Sequence, residues 1–527
     1  MASRVVSAGY GRAALDALRE IVATVKHDDP MAPVTILVPN NIAGIVARRH
    51  LAHGLTDDHP GVAGIYLATL PRLAEQIAAP HLAPRRPATR PILASAWRST
   101  LDADPGLFAS VSEHPATIRA LTNAHRELRD LTEPALRAVA EAGTLPGDVA
   151  RLHNAVTATL RQDWYDPTDL LHTATRLVDE TPDTVGELGA VVLYLPQDLT
   201  QAEAAFTRAL ADHADLTVLL GLTGVRRADS AVRRTLTRLG LDQPDDSPKP
   251  PTATQVRHAS DSDDEVRCIV REVVATLEQT PAHRIAVLYG RASPYARLLH
   301  EQLNQAGIRF NGPGTRAVHE RALARGFLGI LALAETDMPR AELFRALAEA
   351  PAMTFDDARV PVSRWERASR SAAVVAGDDW RDRLQSRIDH EQSAIGYEQA
   401  KEDPWQSRID RSQREIESAQ ALRRFTTTLR ARLTDGDALT TWSALSTWAL
   451  DLFHSLYGEP STLLTLPAEE QYAAATIDQT LRSLASLDQF EPAASLSDLK
   501  EVLELELEGA LPRVGRFGEG VFVAPVS

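Results

Sequence analysis

The sequence has almost no cysteine and no long apolar run. Its single cysteine, Cys268, excludes an internal disulfide and any metal or iron–sulfur site built from cysteine alone. We therefore expect a reducing compartment, the cytoplasm. No apolar run approaches the ~18 residues that a membrane-spanning helix needs, and no secretory signal pattern follows Arg4 near the N-terminus. These absences predict a globular protein without a membrane partner.

Lysine is also scarce, so arginine supplies nearly all of the positive charge. Lysine occurs only at Lys26, Lys249, Lys401 and Lys500. The net charge is −15, whereas a small DNA-binding module is usually basic. This charge weighs against nucleic-acid binding, although a large chain can still line a local groove with arginine.

Common catalytic motifs are missing as well. The 16 histidines include no H-E-x-x-H spacing, which argues against a zinc enzyme of that kind. No G-x-S-x-G motif occurs, and the apolar surroundings of Cys268 favour a core position over a reactive one. We expect no metal site in this chain.

What the sequence does contain is an alternation of strands and helices in 1–90 and 183–240. At 527 residues the chain is long enough for about two to four domains. The alternation predicts a mostly parallel sheet covered by helices on both faces. The predicted strands are Val5–Ser7, Thr35–Val38, Val62–Leu67, Ala190–Tyr194 and Leu216–Gly221. The predicted helices are Leu15–Val25, Ile42–Ala52, Leu70–Ile77, Gln201–Ala211 and Ala228–Leu239. The intervening stretch 91–182 has helical spacing throughout and predicts a helical insertion.

A second region of the same design follows a linker rich in proline and aspartate, 241–252. It comprises 253–320 and 512–527, interrupted by a second helical insertion, 321–511, with loops near 351–361 and 434–437. The predicted strands are Thr254–Ala259, Arg284–Leu288 and Ile308–Phe310, and the predicted helices are Asp263–Leu277 and Pro294–Ala306. The last residues form a turn that enters a strand. Because chains rarely stop inside a buried strand, we expect this second domain to be truncated.

The turn after the first strand is similar to a phosphate-binding loop without its reactive side chains. Such a loop has the pattern G-x-x-x-x-G-K-[ST], in which backbone amides and the lysine hold phosphates and the hydroxyl holds magnesium. Here the segment runs from Gly9 to Gly11, and Gly11 occupies the second glycine position. Arg12 replaces the lysine and Ala13 replaces the hydroxyl residue. Arg12 could contact a phosphate or be a solvated cation.

The segment that follows the strand Ala190–Tyr194 is similar to the helicase pattern D-E-x-Q-D. Tyr194 and Leu195 stand in place of the two acids, while Gln197 and Asp198 match the pattern. Magnesium binding and water activation need the missing carboxylates. Alternatively, Gln197 and Asp198 simply cap the next helix.

The double α/β design resembles UvrD-like superfamily 1 helicases, and several segments resemble the AddB/RecC branch, whose motors are often inactive. The resembling segments are 35–49, 65–74, 263–272, 284–295 and 303–310. The resemblance implies two RecA-like P-loop-type domains, each with a helical insertion. It also implies a nuclease domain C-terminal to the motor-like part. The glutamine expected after the strand Leu216–Gly221 is absent, as are the lysine, the hydroxyl and the acid pair. We therefore expect no ATP or magnesium cofactor in this chain, and a helicase subunit as the partner that supplies the motor.

Candidate DNA contacts lie at strand ends and on arginine-rich helices. They are Asn40, Asn41, Arg48, Thr69, Arg291, Arg364, Arg367 and Trp365. Amide side chains at the carboxyl end of a parallel strand can reach a nucleic-acid backbone, but Asn40 and Asn41 could equally form a turn and cap a helix. Arginines at spacings of three share a helical face, which could grip single-stranded DNA beside tryptophan or could be a solvated face.

These observations lead to one expected function and two alternatives. We expect the non-hydrolysing, DNA-guiding part of a helicase–nuclease that processes double-strand ends for recombination and repair. An active helicase with divergent motifs is the first alternative. A helical interaction scaffold without DNA contact is the second.

Overall fold

The protein folds into two compact units, Met1–Val256 and Arg257–Ser527. The structure, a computed structural model, describes residues 4–55, 60–112, 114–244, 248–250, 255–349, 353–356, 358–490, 493–508 and 513–526. Both units combine parallel strands with a majority of helix. The predicted α/β class is confirmed at this level.

The described part of the first unit is organised around a five-stranded parallel sheet. Its strands, with one short extra pair, are β1 (Arg4–Gly9), β2 (Val34–Leu37), β3 (Ile65–Ala68), β4 (Arg86–Pro87), β5 (Trp164–Tyr165), β6 (Ala190–Tyr194) and β7 (Leu216–Leu222). The sheet has the order β1-β7-β6-β2-β3, and β4 pairs with β5 separately. Because all neighbours in the large sheet are parallel, their carboxyl ends share one edge. Each strand predicted for this region has an observed counterpart, but β3 begins at Ile65, three residues after the predicted start at Val62.

Helices cover both faces of this sheet. The helices of the first unit are α1 (Arg12–Val25), α2 (Asn41–Leu51), α3 (Leu70–Leu82), α4 (Arg90–Ala103), α5 (Pro115–Arg129), α6 (Glu133–Glu141), α7 (Thr144–Asp163), α8 (Pro167–Glu180), α9 (Gln201–His213) and α10 (Ser230–Leu239). Successive side chains of a strand point to opposite faces: Val192 and Tyr194 join the core under α1 and α2, whereas Val191 and Leu193 join the core under α3, α8, α9 and α10. Thus α8 covers the sheet as well, although it lies in the stretch 91–182.

Helices α4 to α7 pack mainly on one another. Trp97 of α4 is fully buried. Arg129, at the end of α5, fastens this group to the start of α8. Its Nε donates to Asp166 at 2.5 Å and its Nη2 donates to Asp169 at 2.7 Å. Both contacts are largely shielded from solvent, so they resemble buried charge pairs, whose loss is costly.

The second unit has a smaller mixed sheet and many more helices. Its strands are β8 (Ala286–Tyr289), β9 (Phe310–Pro313), β10 (Thr354–Phe355), β11 (Ala358–Arg359), β12 (Arg513–Val514) and β13 (Val521–Pro525). Its helices are α11 (Ser262–Leu277), α12 (Tyr295–Gln305), α13 (Ala322–Ala332), α14 (Arg340–Glu349), α15 (Val362–Ser371), α16 (Asp379–Gln399), α17 (Gln406–Asp437), α18 (Trp442–Tyr457), α19 (Pro460–Leu463), α20 (Ala468–Leu484) and α21 (Leu496–Glu508). Among the described residues the main sheet has the order β12-β9-β13-β8, with β13 parallel to both of its neighbours.

Strand β13, although late in the sequence, therefore lies between β9 and β8 in the second sheet. Val521 and Val523 are fully buried in the core beneath α11 and α12. Asn311 of β9 donates through Nδ2 to the carbonyl of Glu519 at 2.9 Å. The prediction that 512–527 returns to the sheet agrees with this pairing, within the described residues 513–526.

Two local predictions for the sequence after the proline-rich linker are wrong. The expected strand Thr254–Ala259 is absent from 255–259, the part of it that the structure describes; Val256 is 82% exposed, so the segment has no buried face to order it. The expected loop at 434–437 is helix, because α17 continues to Asp437 and Gly436 packs against the ring of Trp448. No helix among the described residues is both long enough and apolar enough to cross a membrane.

Candidate functional site at the carboxyl edge of the first sheet

The structure brings the two degenerate motifs together at the carboxyl edge of the first sheet. Strands β1 and β6 both pair with β7, so the loops that follow them emerge on the same side. The amide of Gln197 donates to the phenolic oxygen of Tyr10 at 3.0 Å. This bond joins the segment Gly9–Gly11 to the segment that carries Gln197 and Asp198.

Gly221, in β7, makes this close approach possible. A Cβ atom at this position would overlap the ring of Tyr10 and would lie 2.9 Å from Leu195 Cδ2. Leu195 itself has a φ of 50°, a left-handed conformation that side chains other than glycine rarely adopt. The space beside Gly221 in β7 is therefore filled by Tyr10 and Leu195.

Neither position of the missing acid pair offers a metal ligand. Tyr194 is buried in the core under α1 and α2, and this burial raises the pKa of its phenol to about 12. Leu195 has an apolar side chain that packs on Gly221. The two side chains thus stabilise the edge of the sheet rather than presenting oxygen ligands to a cation.

The start of α1 keeps the backbone geometry of a strand-to-helix turn. Gly11 precedes the helix with a φ of 82°, which glycine tolerates without strain. Arg12 is exposed and donates through Nε to Asp16 at 3.0 Å. Ala13 is exposed and carries no hydroxyl. Of the two interpretations of Arg12, this geometry favours a cation satisfied along its own helix.

Part of the proline-rich segment 241–252 also lies at this edge. A Cβ atom on Gly224 would overlap the carbonyl of Pro248, and one on Gly9 would lie 3.7 Å from Pro248 Cβ. Pro248 therefore packs beside the ends of β1 and β7. The composition of the segment predicted an extended, solvated linker, and composition alone contains no signal for this packing.

Gln197 and Asp198 do not cap α9, contrary to the simpler sequence-based interpretation. Thr200 is the capping residue and forms a reciprocal pair of hydrogen bonds with Glu203. Asp198 instead pairs with Arg234 Nη2 at 2.5 Å and with Arg238 Nη1 at 3.0 Å. Its carboxylate is therefore already neutralised by two guanidinium groups of α10.

The DNA-contact candidates of the first unit are Asn40, Asn41, Arg48 and Thr69. Asn40 caps α2, since its side chain accepts from the backbone of Ala43 at 2.9 Å, while Asn41 and Arg48 are exposed on α2. Thr69 precedes α3 without a side-chain cap bond and lines a cavity of about 150 Å³ together with Gln197. Because small-molecule pockets usually measure about 300–1,000 Å³, this cavity is too small for a nucleotide.

The candidates of the second unit are scattered. Arg291 is exposed after β8, and Arg364 and Arg367 are exposed on α15. Trp365 is only 3% exposed and lies 5.1 Å from the ring of Phe425, centre to centre. Trp365 therefore belongs to an aromatic core and is not placed to stack on a base. The position of Trp365 between two arginines in the sequence did not predict its burial, because successive residues of a helix point in different directions.

Sequence reasoning considered Trp405 for stacking on single-stranded DNA but missed the exposed Tyr397. Among the described residues, the two most exposed aromatic side chains are Tyr397, at 71%, and Trp405, at 66%. They flank the turn between α16 and α17, and the ammonium group of Lys401 lies 5.1 Å from the centre of the Tyr397 ring. We name residues 397–405 the hairpin tip. The hairpin tip was hard to predict from the sequence, because it forms where α16 ends and α17 begins and so depends on how these two long helices pack.

Comparisons with known proteins and a search for metal ligands add no assignment. No family model matches the sequence, and no curated protein matches it. Within the described ranges, no group of three or more histidine, cysteine, aspartate or glutamate side chains is arranged to hold a metal ion. Functional inference therefore depends on the geometry of the residues themselves.

Proposed function

We propose that this chain is the DNA-binding, non-hydrolysing motor-like part of a helicase–nuclease that processes double-strand ends. In this proposal both α/β units are RecA-like, and a partner helicase subunit supplies ATP hydrolysis. DNA recombination and repair in the cytoplasm is the setting that such an activity implies. The alternatives, an active divergent helicase and an interaction scaffold, are outcomes of the tests below.

One observation carries the proposal. The loops after β1 and β6, which carry the degenerate motifs, meet at one edge of a parallel sheet through the bond between Tyr10 and Gln197. Ligands of open α/β sheets bind at that edge. Yet Tyr10 and Leu195 fill the space over Gly221, and Asp198 is paired with two arginines. This arrangement supports a motor-like fold in which the side chains at the nucleotide-site positions pack on one another instead of binding a nucleotide.

Support for DNA contact comes from the exposed cations and the hairpin tip. Arg364 and Arg367 are exposed on α15, and Tyr397 and Trp405 are available for stacking. Stacking a base on an aromatic side chain contributes about 1–3 kcal/mol. The tip also carries Glu402 and Asp403, so stacking rather than phosphate attraction must dominate there.

The first experiment measures ATP hydrolysis by the purified protein with and without single-stranded DNA. We expect no DNA-stimulated turnover and no difference between the native protein and Arg12→Ala. Asp16→Ala, which removes the partner of Arg12 but leaves Arg12 in place, is the matched control. Turnover that DNA stimulates and that Arg12→Ala abolishes would establish the active-helicase alternative.

The second experiment measures binding of a fluorescent single-stranded oligonucleotide. We expect affinity to fall steeply between about 50 and about 200 mM salt. Arg364→Glu/Arg367→Glu should weaken binding, whereas the control Arg297→Glu, an exposed arginine of α12 paired with Glu301, should not. If the native protein retains no oligonucleotide at the lower salt concentration, the scaffold alternative is preferred.

A further inference from the structure

A polar cavity lies at the junction between the insertion helices of the first unit and α9. It has a volume of about 530 Å³ and is lined by residues of α5, α6, α7, α8 and α9. This volume is within the range of about 300–1,000 Å³ that is typical of small-molecule sites. None of the sequence motifs points to this cavity, although its lining includes Gln201, where α9 begins after the carboxyl-edge segment that carries Asp198.

The lining of this cavity carries charged side chains of both signs. Arg129, Arg161 and Arg208 line it, with Asp130 and Glu133 as the only lining carboxylates in the described residues. The carboxylate of Asp130 accepts from the backbone amide of Gln201 at 2.6 Å. Arg161 has no ion-pair partner within the described part of the chain, so its charge is available to a ligand.

The three lining arginines differ in their ion-pair and hydrogen-bond partners. Arg129 is neutralised by Asp166 and Asp169. Arg208 donates through Nη1 to the carbonyl of Arg238 at 3.0 Å, which leaves its charge uncompensated. Arg161 and Arg208 are therefore the two lining cations without a carboxylate partner among the described residues, and both are exposed.

One polar atom in the lining of this cavity is buried and lacks a partner. The Oγ1 atom of Thr157 is buried and makes no hydrogen bond, although a threonine in a helix usually bonds to a carbonyl one turn earlier. His153, also in the lining, is 3% exposed, and its Nδ1 lies 3.1 Å from Nδ1 of His125. Unsatisfied buried polar groups are rare in native proteins and often mark a missing ligand or water.

From these observations we infer that the cavity binds a nucleotide phosphate group. A phosphate oxyanion accepts hydrogen bonds from Arg161, Arg208 and the hydroxyl of Thr157. Leu128, Leu131 and Leu136 form an apolar part of the lining, which suits a base or sugar. The source is a free mononucleotide or one unit of a single strand, and both present the same chemistry. The inference goes beyond the proposed function, because a mononucleotide can bind here whether or not the protein guides DNA.

The electrostatics of the neighbouring histidines agree with this assignment. Burial is the largest cause that lowers the pKa of His153 to about 4; the charges of Arg129 and Arg161 also lower it, and that of Asp166 raises it. A bound anion would offset the effect of the two arginines on this histidine. Anion binding should accordingly raise the pKa of His153.

Isothermal titration calorimetry of the full chain with adenosine monophosphate, and separately with a short oligothymidine, tests the inference. Arg161→Glu/Arg208→Glu should weaken binding at least about tenfold. Thr157→Val should weaken it about three- to tenfold without lowering the melting temperature, because the hydroxyl has no partner to lose. The matched control is Arg176→Glu, an exposed arginine of α8 paired with Glu180, and should leave affinity unchanged.

Each result has one interpretation. Loss of adenosine monophosphate binding in both cavity variants supports a mononucleotide site, and loss of oligothymidine binding alone supports a strand phosphate as the occupant. If the native protein binds neither probe, or if both probes bind the variants as tightly as the native protein, the inference is wrong and the cavity holds water only. Oligothymidine binding that depends on Arg364 and Arg367 but not on Arg161 and Arg208 would leave the proposed function intact while overturning this site.

Discussion

Gln197 and Tyr10 lie 187 positions apart in the sequence and are joined by a hydrogen bond of 3.0 Å. The bond connects the loop after β1 to the loop after β6, the two loops that the proposed function assigns to an inactive nucleotide site. Each residue also contributes to the local packing, since Tyr10 lies against Gly221. The edge is therefore organised by contacts between its own side chains, and the predictions below test what those contacts do.

The role of Asn40 can be separated into helix capping and DNA contact. Asn40→Ala removes the acceptor for the Ala43 amide and should cost about 1 kcal/mol of unfolding free energy. Asn40→Asp retains an acceptor and should be nearly as stable as the native protein, as measured by chemical denaturation. If Asn40 also contacts DNA, Asn40→Asp should weaken oligonucleotide binding through charge repulsion; unchanged binding limits the residue to capping.

Gly312 in the second sheet is predicted to tolerate no side chain. A Cβ atom there would overlap the backbone carbonyl of Val523, and backbone of a central strand cannot move aside cheaply. Gly312→Ala should destabilise the second unit by about 3 kcal/mol or more. Gly396→Ala is the matched control, because Gly396 lies within α16 with open space around it, and it should stabilise by about 0.5–1 kcal/mol. Thermal unfolding followed by circular dichroism measures the stability of both variants. Equal melting temperatures for Gly312→Ala and Gly396→Ala would contradict this prediction.

Two tryptophans of the second insertion should behave in opposite ways. Trp365→Ala opens a hole among Phe355 and Phe425 and should cost about 3–5 kcal/mol. Trp405→Ala, at an exposed position, should change stability by less than about 0.5 kcal/mol but weaken oligonucleotide binding. Denaturation and fluorescence anisotropy on the same samples distinguish the two. A stable Trp365→Ala protein with impaired DNA binding would restore the original sequence-based interpretation of that residue.

The buried pair His125 and His153 should make stability depend on acid. Burial, as the largest cause, lowers the pKa of His125 to about 3 and that of His153 to about 4, from an ordinary value of 6.5. The groups that face them are Arg129, Asp166 and Arg161, with the arginines lowering and the aspartate raising these pKa values. The unfolded chain binds protons below about pH 6.5 while the folded chain does not, so stability is full above that pH and falls below it.

The expected loss between about pH 7 and about pH 5 is about 2 kcal/mol for each histidine. His125→Phe keeps a ring beside Trp97 and should remove about half of the pH dependence. His283→Gln, an exposed histidine of the second unit, is the control and should leave it unchanged. Denaturation curves at several pH values provide the measurement, and an equal slope in native protein and His125→Phe would contradict the assignment.

Much of the fold could be predicted from local patterns. The strands Ala190–Tyr194 and Leu216–Gly221 were placed within one residue of the observed β6 and β7, because fully buried strands form continuous apolar runs. Helix faces were also predictable, since apolar residues at helical spacing must meet a core. The expected strand at 254–259 is absent from the described residues 255–259. Val256 is exposed there, so no core packs against the segment and orders it as a strand.

The sequence by itself determined which side chains could not perform nucleotide chemistry, because Arg12, Ala13, Tyr194 and Leu195 lack the required groups whatever their positions. Only the tertiary structure decided what those residues and their neighbours do instead. Whether Asp198 caps a helix or pairs with Arg234, and whether Trp365 is exposed or buried, depends on which distant elements are adjacent. Adjacency is set by sheet order and helix packing, which a local pattern of residue types does not encode.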